Sequence, residues 1–294
     1  TVGGTGKTPF VMLVAKLLLE AGHRPAILSR GFGGRPARPV LVVSDGDRVL
    51  AGPEAAGDEP VLMARTLPTV PVLTGPDRAK TGTAAIDRFG ASVLVLDDAF
   101  QHRRLARDLD IVLTDIRLPF GNGFLLPAGP LREPAGSLDR AQIVVRTGSE
   151  AEVRRAPAVA SELRGYRRPC ALVRGDGRER HPATALSGKQ VLAFAGLGRP
   201  DDFRKTLRGL GAEVKVFLPF ADHCPYRGAD VEAISGKAAA AAVDLIVTTE
   251  KDAVRLGRYP EFLQRVFQLR IEMDILPSRE RLAALMLERI APCR

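Results

Sequence analysis

A glycine-rich run near the start of the chain carries the clearest chemical signal. The run consists of Gly3, Gly4, Thr5, Gly6, Lys7 and Thr8. Glycines in such a loop let backbone N–H groups turn toward phosphate oxygens, and the N-terminus of a following helix adds positive potential. Lys7 then reaches the β- and γ-phosphates, and the hydroxyl of Thr8 binds Mg²⁺. The pattern predicts the end of a Walker A loop that binds ATP and Mg²⁺.

The match to the Walker A pattern is incomplete, because the strict pattern has glycine where this chain has Thr1. A phosphate loop ordinarily follows a buried strand. We therefore expect the natural protein to have upstream residues that provide this strand.

Two adjacent acids, Asp97 and Asp98, follow the apolar run at residues 93–96. A Walker B strand ends in this way, with an acid that holds Mg²⁺ directly or through water. An acid at the end of a strand is often only a helix cap. Because a Walker A loop occurs in the same sequence, metal binding opposite Thr8 is the favoured interpretation.

A second pair of acids, Asp58 and Glu59, opens a helical pattern after Gly57. Capping is the default role for Asp58. A phosphotransferase also needs a base within hydrogen-bond reach of the acceptor hydroxyl, and these carboxylates are candidates for it. His223, one of four histidines in the chain, could tune or share that proton, although a lone histidine is more often structural.

The composition excludes several classes of protein. A chain of 294 residues with 45% apolar residues can bury a large core, which excludes a disordered or fibrous protein. Its three cysteines form no CxxC pair, so neither a disulfide framework nor a zinc site is indicated. The net charge of +9 suits an anionic partner such as a nucleotide, nucleic acid or acidic lipid, and does not choose among them.

Short apolar runs alternate with helical patterns along the chain, which is typical of a parallel sheet with crossover helices. We predict an α/β fold with a P-loop NTPase-like, mostly parallel sheet flanked by helices, and a second smaller α/β lobe. The predicted organisation is a kinase core at 1–165, a connecting hinge at 166–190 and the smaller lobe at 191–294, with a final helix that can pack back on the core. The predicted strands are 26–29, 40–44, 70–74, 92–97, 110–114, 142–146, 191–195, 213–218, 244–248 and 265–271.

Several motifs together resemble those of one family, the tetraacyldisaccharide 4′-kinases. The motifs are GGTGKTP at 3–9, LSRGFGG at 28–34, GDEP at 57–60, LDDAFQHRRLARDLDIVLTD at 96–115, PFGNGFLLPAGPLREP at 119–134, AFAGLGRPDDF at 193–203, FADHCPY at 220–226 and TTEKDAVRL at 248–256. They extend over almost the whole chain, so the resemblance is far more specific than a shared phosphate loop.

The resemblance implies a reaction and a place for it. ATP would donate its γ-phosphoryl group to the 4′-hydroxyl of a tetraacyldisaccharide 1-phosphate, which is a precursor of lipid A. The enzyme would work as a peripheral protein at the cytoplasmic face of the inner membrane, with no nucleic acid and no protein partner. The family also has an N-terminal membrane-associating segment, which we expect upstream of this sequence.

The resemblance also implies roles for individual residues. Asp58 would activate the acceptor hydroxyl with help from His223, and Lys7 would bind the phosphates. The metal region would contain Thr8, Glu59, Asp97 and Gln101. Asp98 and His102 would support catalysis or the movement of the lobes, and Arg132 and Arg30 would hold substrate.

Two other functions remain open from the residues alone. A partner-regulated switch ATPase has a similar glycine-rich loop, but with a signature lysine where this chain has Val2. A nucleic-acid-binding module would explain the net charge and the run His102-Arg103-Arg104. The low aromatic content of 5% and the absence of tryptophan leave little surface for stacking bases.

Overall fold

The structure is a computed structural model that describes residues 6–36, 38–157 and 162–290. The predicted phosphate-loop residues Gly3, Gly4 and Thr5 lie outside these ranges. The chain forms two compact units, the first made of residues 1–168 and 272–294 and the second of residues 169–271. The boundary between them falls inside two long strands, β7 (Leu163–Arg174) and β12 (Val266–Leu276).

The first unit contains a sheet with the strand order β2-β3-β1-β4. Its strands are β1 (Pro25–Ser29), β2 (Leu41–Ser44), β3 (Val72–Thr74) and β4 (Val93–Leu96). Strands β3, β1 and β4 are parallel, with Ile27 of β1 paired to Val72 and Val95. Strand β2 is antiparallel to β3 and forms the edge. The three parallel strands therefore end at the same edge of the sheet.

A further set of parallel strands in the first unit consists of β5 (Ile111–Asp115), β6 (Ile143–Gly148) and the first half of β7. The helices of this unit are α1 (Lys7–Glu20), α2 (Pro53–Ala56), α3 (Asp58–Thr66), α4 (Arg78–Phe89), α5 (Glu150–Arg155) and α10 (Arg279–Leu287). Helix α1 follows Gly6, whose φ of 83° is accessible to glycine, and its apolar face buries Phe10, Leu13 and Leu17. These side chains pack in one core with Val145 and with Leu282 of α10.

The second unit is also α/β. Its parallel strands β9 (Gln190–Gly196), β10 (Glu213–Phe220) and β11 (Leu245–Thr249) lie in the order β10-β9-β11, and β11 pairs with β12. The short strand β8 (Arg180–Pro182) is antiparallel to β7. Its helices are α6 (Pro200–Gly209), α7 (Gly228–Ala240), α8 (Glu250–Arg255) and α9 (Pro260–Leu263).

The predicted fold class, an α/β protein with a mostly parallel sheet and a second smaller sheet, is confirmed. The domain organisation differs in detail from the prediction. The segment 166–190, predicted as a hinge, contains most of β7 and all of β8, whereas the C-terminal helix α10, predicted to be able to pack back on the core, belongs to the first unit. Within the described residues, the helices are too short or too polar to cross a membrane.

Candidate functional site

The candidate site of the first unit lies where β1, β3 and β4 end and α1 begins. In a parallel sheet, the side chains that follow the carboxyl ends of neighbouring strands are brought together. Ser29 ends β1, Asp97 follows β4, and the Asp97 backbone N–H donates to the Leu28 carbonyl at 2.9 Å. The Lys7 side chain projects from the first turn of α1, and its Nζ lies 3.9 Å from Oδ1 of Asp98. The predicted Walker A lysine and Walker B acids therefore share one site.

Asp98 lies between two cations. Besides the Lys7 contact, its Oδ2 accepts a hydrogen bond of 2.7 Å from Nη1 of Arg132. Its backbone is left-handed, with φ of 50°, which is uncommon for a residue other than glycine. Burial raises the pKa of Asp98, but the Arg132 hydrogen bond and the Lys7 charge outweigh burial and hold the pKa below its usual value. Asp98 is thus an ionised side chain that holds the Lys7 ammonium and the Arg132 guanidinium close together.

Asp97 is the buried acid of the pair, with 4% of its surface exposed. Its Oδ2 accepts a hydrogen bond of 3.2 Å from the Ser29 hydroxyl. Burial, together with the negative charges of Glu59 and Asp98, raises the pKa of Asp97 to about 6 against the opposing effects of the Ser29 hydrogen bond and the Lys7 charge. Carboxylates crowded in this way attract a cation, which would relieve their repulsion.

Mg²⁺ fits this arrangement. It prefers oxygen ligands and, beside a nucleotide, is held by one or two carboxylates, phosphate oxygens and water. Among the described residues no three His, Cys, Asp or Glu side chains are grouped closely enough to hold a metal by themselves. The hydroxyl of the buried Thr8, with the carboxylates of Asp97 and Glu59, would supply the kind of oxygen donors that a nucleotide-bound Mg²⁺ needs.

Asp58 is placed by close contact between two backbone segments. Gly57 has φ of 87°, and a Cβ on it would lie 2.4 Å from the Phe32 carbonyl oxygen. A Cβ on Gly34 would lie 2.5 Å from the Ala55 carbonyl oxygen, so both glycines are needed for this approach. Gly57 is the N-cap of α3, and Asp58 is its first residue, with only 5% of its surface exposed. A carboxylate at the start of a helix that only caps the helix is usually in contact with solvent, so the burial of Asp58 indicates a further role.

The remaining predicted residues of the first unit lie close to these acids in the chain. Gln101 and His102 follow Asp98 in a turn where the His102 carbonyl accepts a hydrogen bond of 2.7 Å from Arg107. Arg30 is exposed directly after β1. The roles of these three side chains stay predictions.

Sequence reasoning missed Arg78, at the start of α4. This side chain is 4% exposed, its Nη1 donates to the Gly75 carbonyl, and its Nε has no hydrogen-bond partner among the described residues. Burial lowers its pKa, while the charge of Asp97 opposes that change. A buried guanidinium with a free donor beside an acid pair suits a phosphate oxygen. The one feature of the sequence that could have identified Arg78 as a site residue is its position shortly after the carboxyl end of β3.

We predict that Arg78→Gln lowers kcat/KM for ATP by about 10²-fold, because one charged donor to the phosphates is lost. Steady-state kinetics with varied ATP measures the effect. Arg88→Gln, an exposed change in the last turn of the same helix, is the matched control and leaves kcat/KM unchanged. A large loss of thermal stability with normal kcat/KM per folded molecule would assign Arg78 a purely structural role.

The candidate residue of the second unit, His223, follows β10 with a left-handed backbone at φ of 57°. Its Nδ1 lies 3.4 Å from Nη2 of Arg255, and its Nε2 lies 3.9 Å from Oδ1 of Asp222. A guanidinium can only donate, so this contact makes Nδ1 the acceptor and leaves the ring proton on Nε2. The contact therefore fixes both the orientation and the tautomer of the imidazole.

Arg255 is itself held by a buried acid. Its Nη1 lies 3.1 Å from Oδ1 of Asp252, which is fully buried, and donates to the Gly196 carbonyl at 2.9 Å. Asp252 also accepts hydrogen bonds from the hydroxyls of Tyr226 and Thr249, at 2.8 and 2.6 Å. A buried charge with all its partners in place is rigid, so Arg255 presents a fixed donor to the histidine.

We predict that Arg255→Gln lowers kcat by about tenfold, because a neutral hydrogen bond of roughly 1 kcal/mol replaces a stronger charged one. The decisive measurement is a double-mutant cycle with His223→Ala. If Arg255 acts through the histidine, its substitution has no further effect on kcat in the His223→Ala background. Arg208→Gln, on the exposed face of α6, is the control. Additive losses would contradict a positioning role.

Comparison with known proteins gives a consistent result. The model of the family described as tetraacyldisaccharide-1-P 4′-kinase, LpxK, matches residues 1–291. The tetraacyldisaccharide 4′-kinase of Syntrophus aciditrophicus is 48% identical to this chain, over 95% of the chain and 79% of the relative. That of Geobacter metallireducens is 44% identical, over 95% of the chain and 83% of the relative.

A solved structure agrees with these relatives. The crystal structure of LpxK from Aquifex aeolicus in complex with ATP matches this chain with a TM-score of 0.79 and 36% identity. The match covers 99% of this chain and 86% of that one.

Proposed function

The chain belongs to the tetraacyldisaccharide-1-P 4′-kinase family, as its motifs predicted, and from this premise we propose how its residues carry out the reaction. The enzyme is a kinase that uses ATP to phosphorylate the 4′-hydroxyl of a tetraacyldisaccharide 1-phosphate in lipid A biosynthesis. The observation that supports the proposed mechanism is the meeting of Lys7, Asp98 and Arg132 beside the buried acid Asp97.

The first step of the mechanism is the binding of the ATP phosphates. The backbone N–H groups at the start of α1 point toward the phosphates, and Lys7 neutralises the β- and γ-phosphoryl oxygens. Arg78 and Arg132 supply further charged donors. Thr8, Asp97, Glu59 and Gln101 are proposed to hold Mg²⁺, which neutralises phosphate charge when bound. Phosphoryl transfer depends mainly on this positioning and charge neutralisation.

The second step is attack by the acceptor. The 4′-hydroxyl oxygen bonds to the γ-phosphorus, its proton passes to the Asp58 carboxylate, and the bond to the bridging oxygen of ADP breaks. We assign His223 the role of assisting this proton transfer, with Arg255 fixing its Nε2–H tautomer. Asp98 and His102 support catalysis, and Arg30 with Arg132 binds the substrate.

The place of the reaction follows from the acceptor. A tetraacylated lipid is held in a bilayer, and we propose that the enzyme works as a peripheral protein at the cytoplasmic face of the inner membrane. The net charge of +9 supports this because the surface of such a membrane is anionic.

The test of the proposed function is transfer of labelled γ-phosphate from ATP to the tetraacyldisaccharide 1-phosphate in mixed micelles with Mg²⁺. We expect labelled lipid with the wild-type chain and almost none with Lys7→Met. Lys16→Met is the matched control, since Lys16 lies on the same helix and pairs with Glu272 at 3.0 Å. ATP hydrolysis that proceeds equally well without the lipid would instead favour the switch ATPase.

A further inference from the structure

One surface segment of the first unit has an unusual composition for its exposure. Residues 118–131 contain fourteen residues without a single charge, and Asn122 is the one polar side chain among them. Four large apolar side chains of this segment are exposed. They are Leu118 at 64%, Phe124 at 63%, Leu125 at 44% and Leu126 at 55%. We name residues 118–131 the apolar loop.

The apolar loop is held in a defined conformation. The Leu126 N–H donates to the Leu131 carbonyl at 2.9 Å, and the Leu131 N–H donates to the Phe124 carbonyl at 3.2 Å. The side chain of Asn122 is exposed and bonds within the loop, donating to the Ala128 carbonyl at 3.0 Å and accepting from the Phe124 N–H at 3.2 Å. Since the one polar side chain bonds within the loop, the side chains that the loop offers to a partner are mainly apolar.

Each end of the loop carries an arginine. Arg117 precedes the loop with 61% of its side chain exposed and its Nε 3.1 Å from Oε1 of Glu152, and Arg132 follows the loop directly. Arg132 is the residue that contacts Asp98, so the loop is continuous with the candidate site. An apolar tip between basic residues is the pattern of a segment that enters the boundary of an anionic bilayer, with arginines at the level of the head groups.

We propose that the apolar loop inserts into the surface of an anionic lipid bilayer and so brings the phosphoryl-transfer site to the membrane. The proposal rests on the proposed function in one respect only, that the acceptor is a lipid. An exposed patch of this kind on a soluble protein marks an interaction site, and the lack of any charge within it favours hydrocarbon over a polar protein surface.

The experiment uses the fact that the chain has no tryptophan. Phe124→Trp therefore places a single fluorescent reporter at the tip of the loop, and Ile86→Trp places one at a comparably exposed apolar position on α4, where Ile86 is 50% exposed. With phosphatidylglycerol vesicles that contain no acceptor lipid, we expect the Phe124→Trp emission to move to shorter wavelength. The Ile86→Trp emission should stay unchanged.

A second measurement is sedimentation with the same vesicles. Leu125→Asp should weaken binding by about tenfold to a hundredfold, because it removes one inserted leucine and adds a charge that the bilayer excludes. Leu287→Asp, at a 38% exposed leucine of α10, is the control and leaves binding unchanged. Circular dichroism of each variant confirms that the fold is retained.

Three results would overturn the proposal. One is a Phe124→Trp emission spectrum that the vesicles leave unchanged, as they leave that of Ile86→Trp. Another is a response of Phe124→Trp only to the tetraacylated acceptor in detergent, which would assign the loop to the acyl chains. The third is a response to protein concentration alone, which would assign it to a second copy of the chain. None of these measurements needs kinase activity, so they are independent of the test of the proposed function.

Discussion

Asp58→Asn is expected to lower kcat by about 10²- to 10⁴-fold, the usual contribution of a positioned general base. The amide keeps the size of the side chain and loses the ability to take the proton from the acceptor hydroxyl. Because Lys7 and the acids after β4 are unchanged, the affinity for ATP should stay close to that of the wild type. Single-turnover transfer of labelled phosphate and equilibrium binding of a fluorescent ATP analogue measure the two quantities separately.

The matched control for this prediction is Asp87→Asn, a change at an exposed acid of α4 that should leave both quantities unaltered. The backbone approach between Gly57 and Phe32 does not involve the altered carboxylate, so Asp58→Asn should fold normally. Unchanged kcat in Asp58→Asn would remove Asp58 from the mechanism and leave substrate positioning as the main source of catalysis.

The strands that carry the site could be predicted from the sequence because their signals are local. The apolar runs of β1, β3 and β4 are followed at once by polar residues, and a parallel arrangement then requires those residues to meet. The acids Asp97 and Asp98 were located in this way. The pairing of Lys7 and Arg132 with Asp98 needed the tertiary structure, since Arg132 is separated from Asp98 by 34 residues.

Strand β7 was missed because arginines interrupt its apolar pattern. In the folded chain these side chains have specific partners. Arg164 donates to the carbonyls of Val153 and Ala156, and Arg168 lies 3.5 Å from the carboxylate of Glu272. Glu272 is 104 residues from Arg168 in sequence, and the nearer partners of Arg164 are backbone carbonyls, so the local pattern of apolar residues reveals neither pairing.

Burial was the other property that the sequence could not supply. The position of Arg78, in the first turn of a helix capped by Asp77, is typical of an exposed basic residue, yet Arg78 is buried. The apolar loop shows the opposite departure, because its composition is typical of a buried core segment but its large apolar side chains are exposed. In both cases the departure from the usual location of the residue type is what points to a functional role.

Asp97→Asn is expected to abolish most of the kinase activity and at the same time to stabilise the protein. Activity should fall by about 10²-fold or more, because the amide cannot help to hold the metal that neutralises the phosphates. The free energy of unfolding should rise, because a buried carboxylate with a raised pKa destabilises the folded state when it is ionised at neutral pH. Loss of activity together with gained stability distinguishes a functional acid from a structural one.

The pH dependence of this effect has a definite sign. The pKa of Asp97 is raised from 3.8 to about 6 in the folded protein, so between these values the folded state binds more protons than the unfolded state. The wild type therefore loses free energy of unfolding, relative to Asp97→Asn, as the pH rises through this window. The loss is complete at about pH 7 and amounts to at most about 3 kcal/mol, and it vanishes only below about pH 3, where both states are protonated.

Urea unfolding of both proteins without ATP and Mg²⁺, at the two ends of this window, measures the difference. Saturating ATP with Mg²⁺ should then reverse the order at neutral pH, because the wild type alone gains the binding free energy of the metal-nucleotide complex. A difference that does not depend on pH would mean that Asp97 is ionised throughout. The Ser29 hydroxyl and the Lys7 charge would then stabilise the ionised carboxylate in the folded protein in place of a proton.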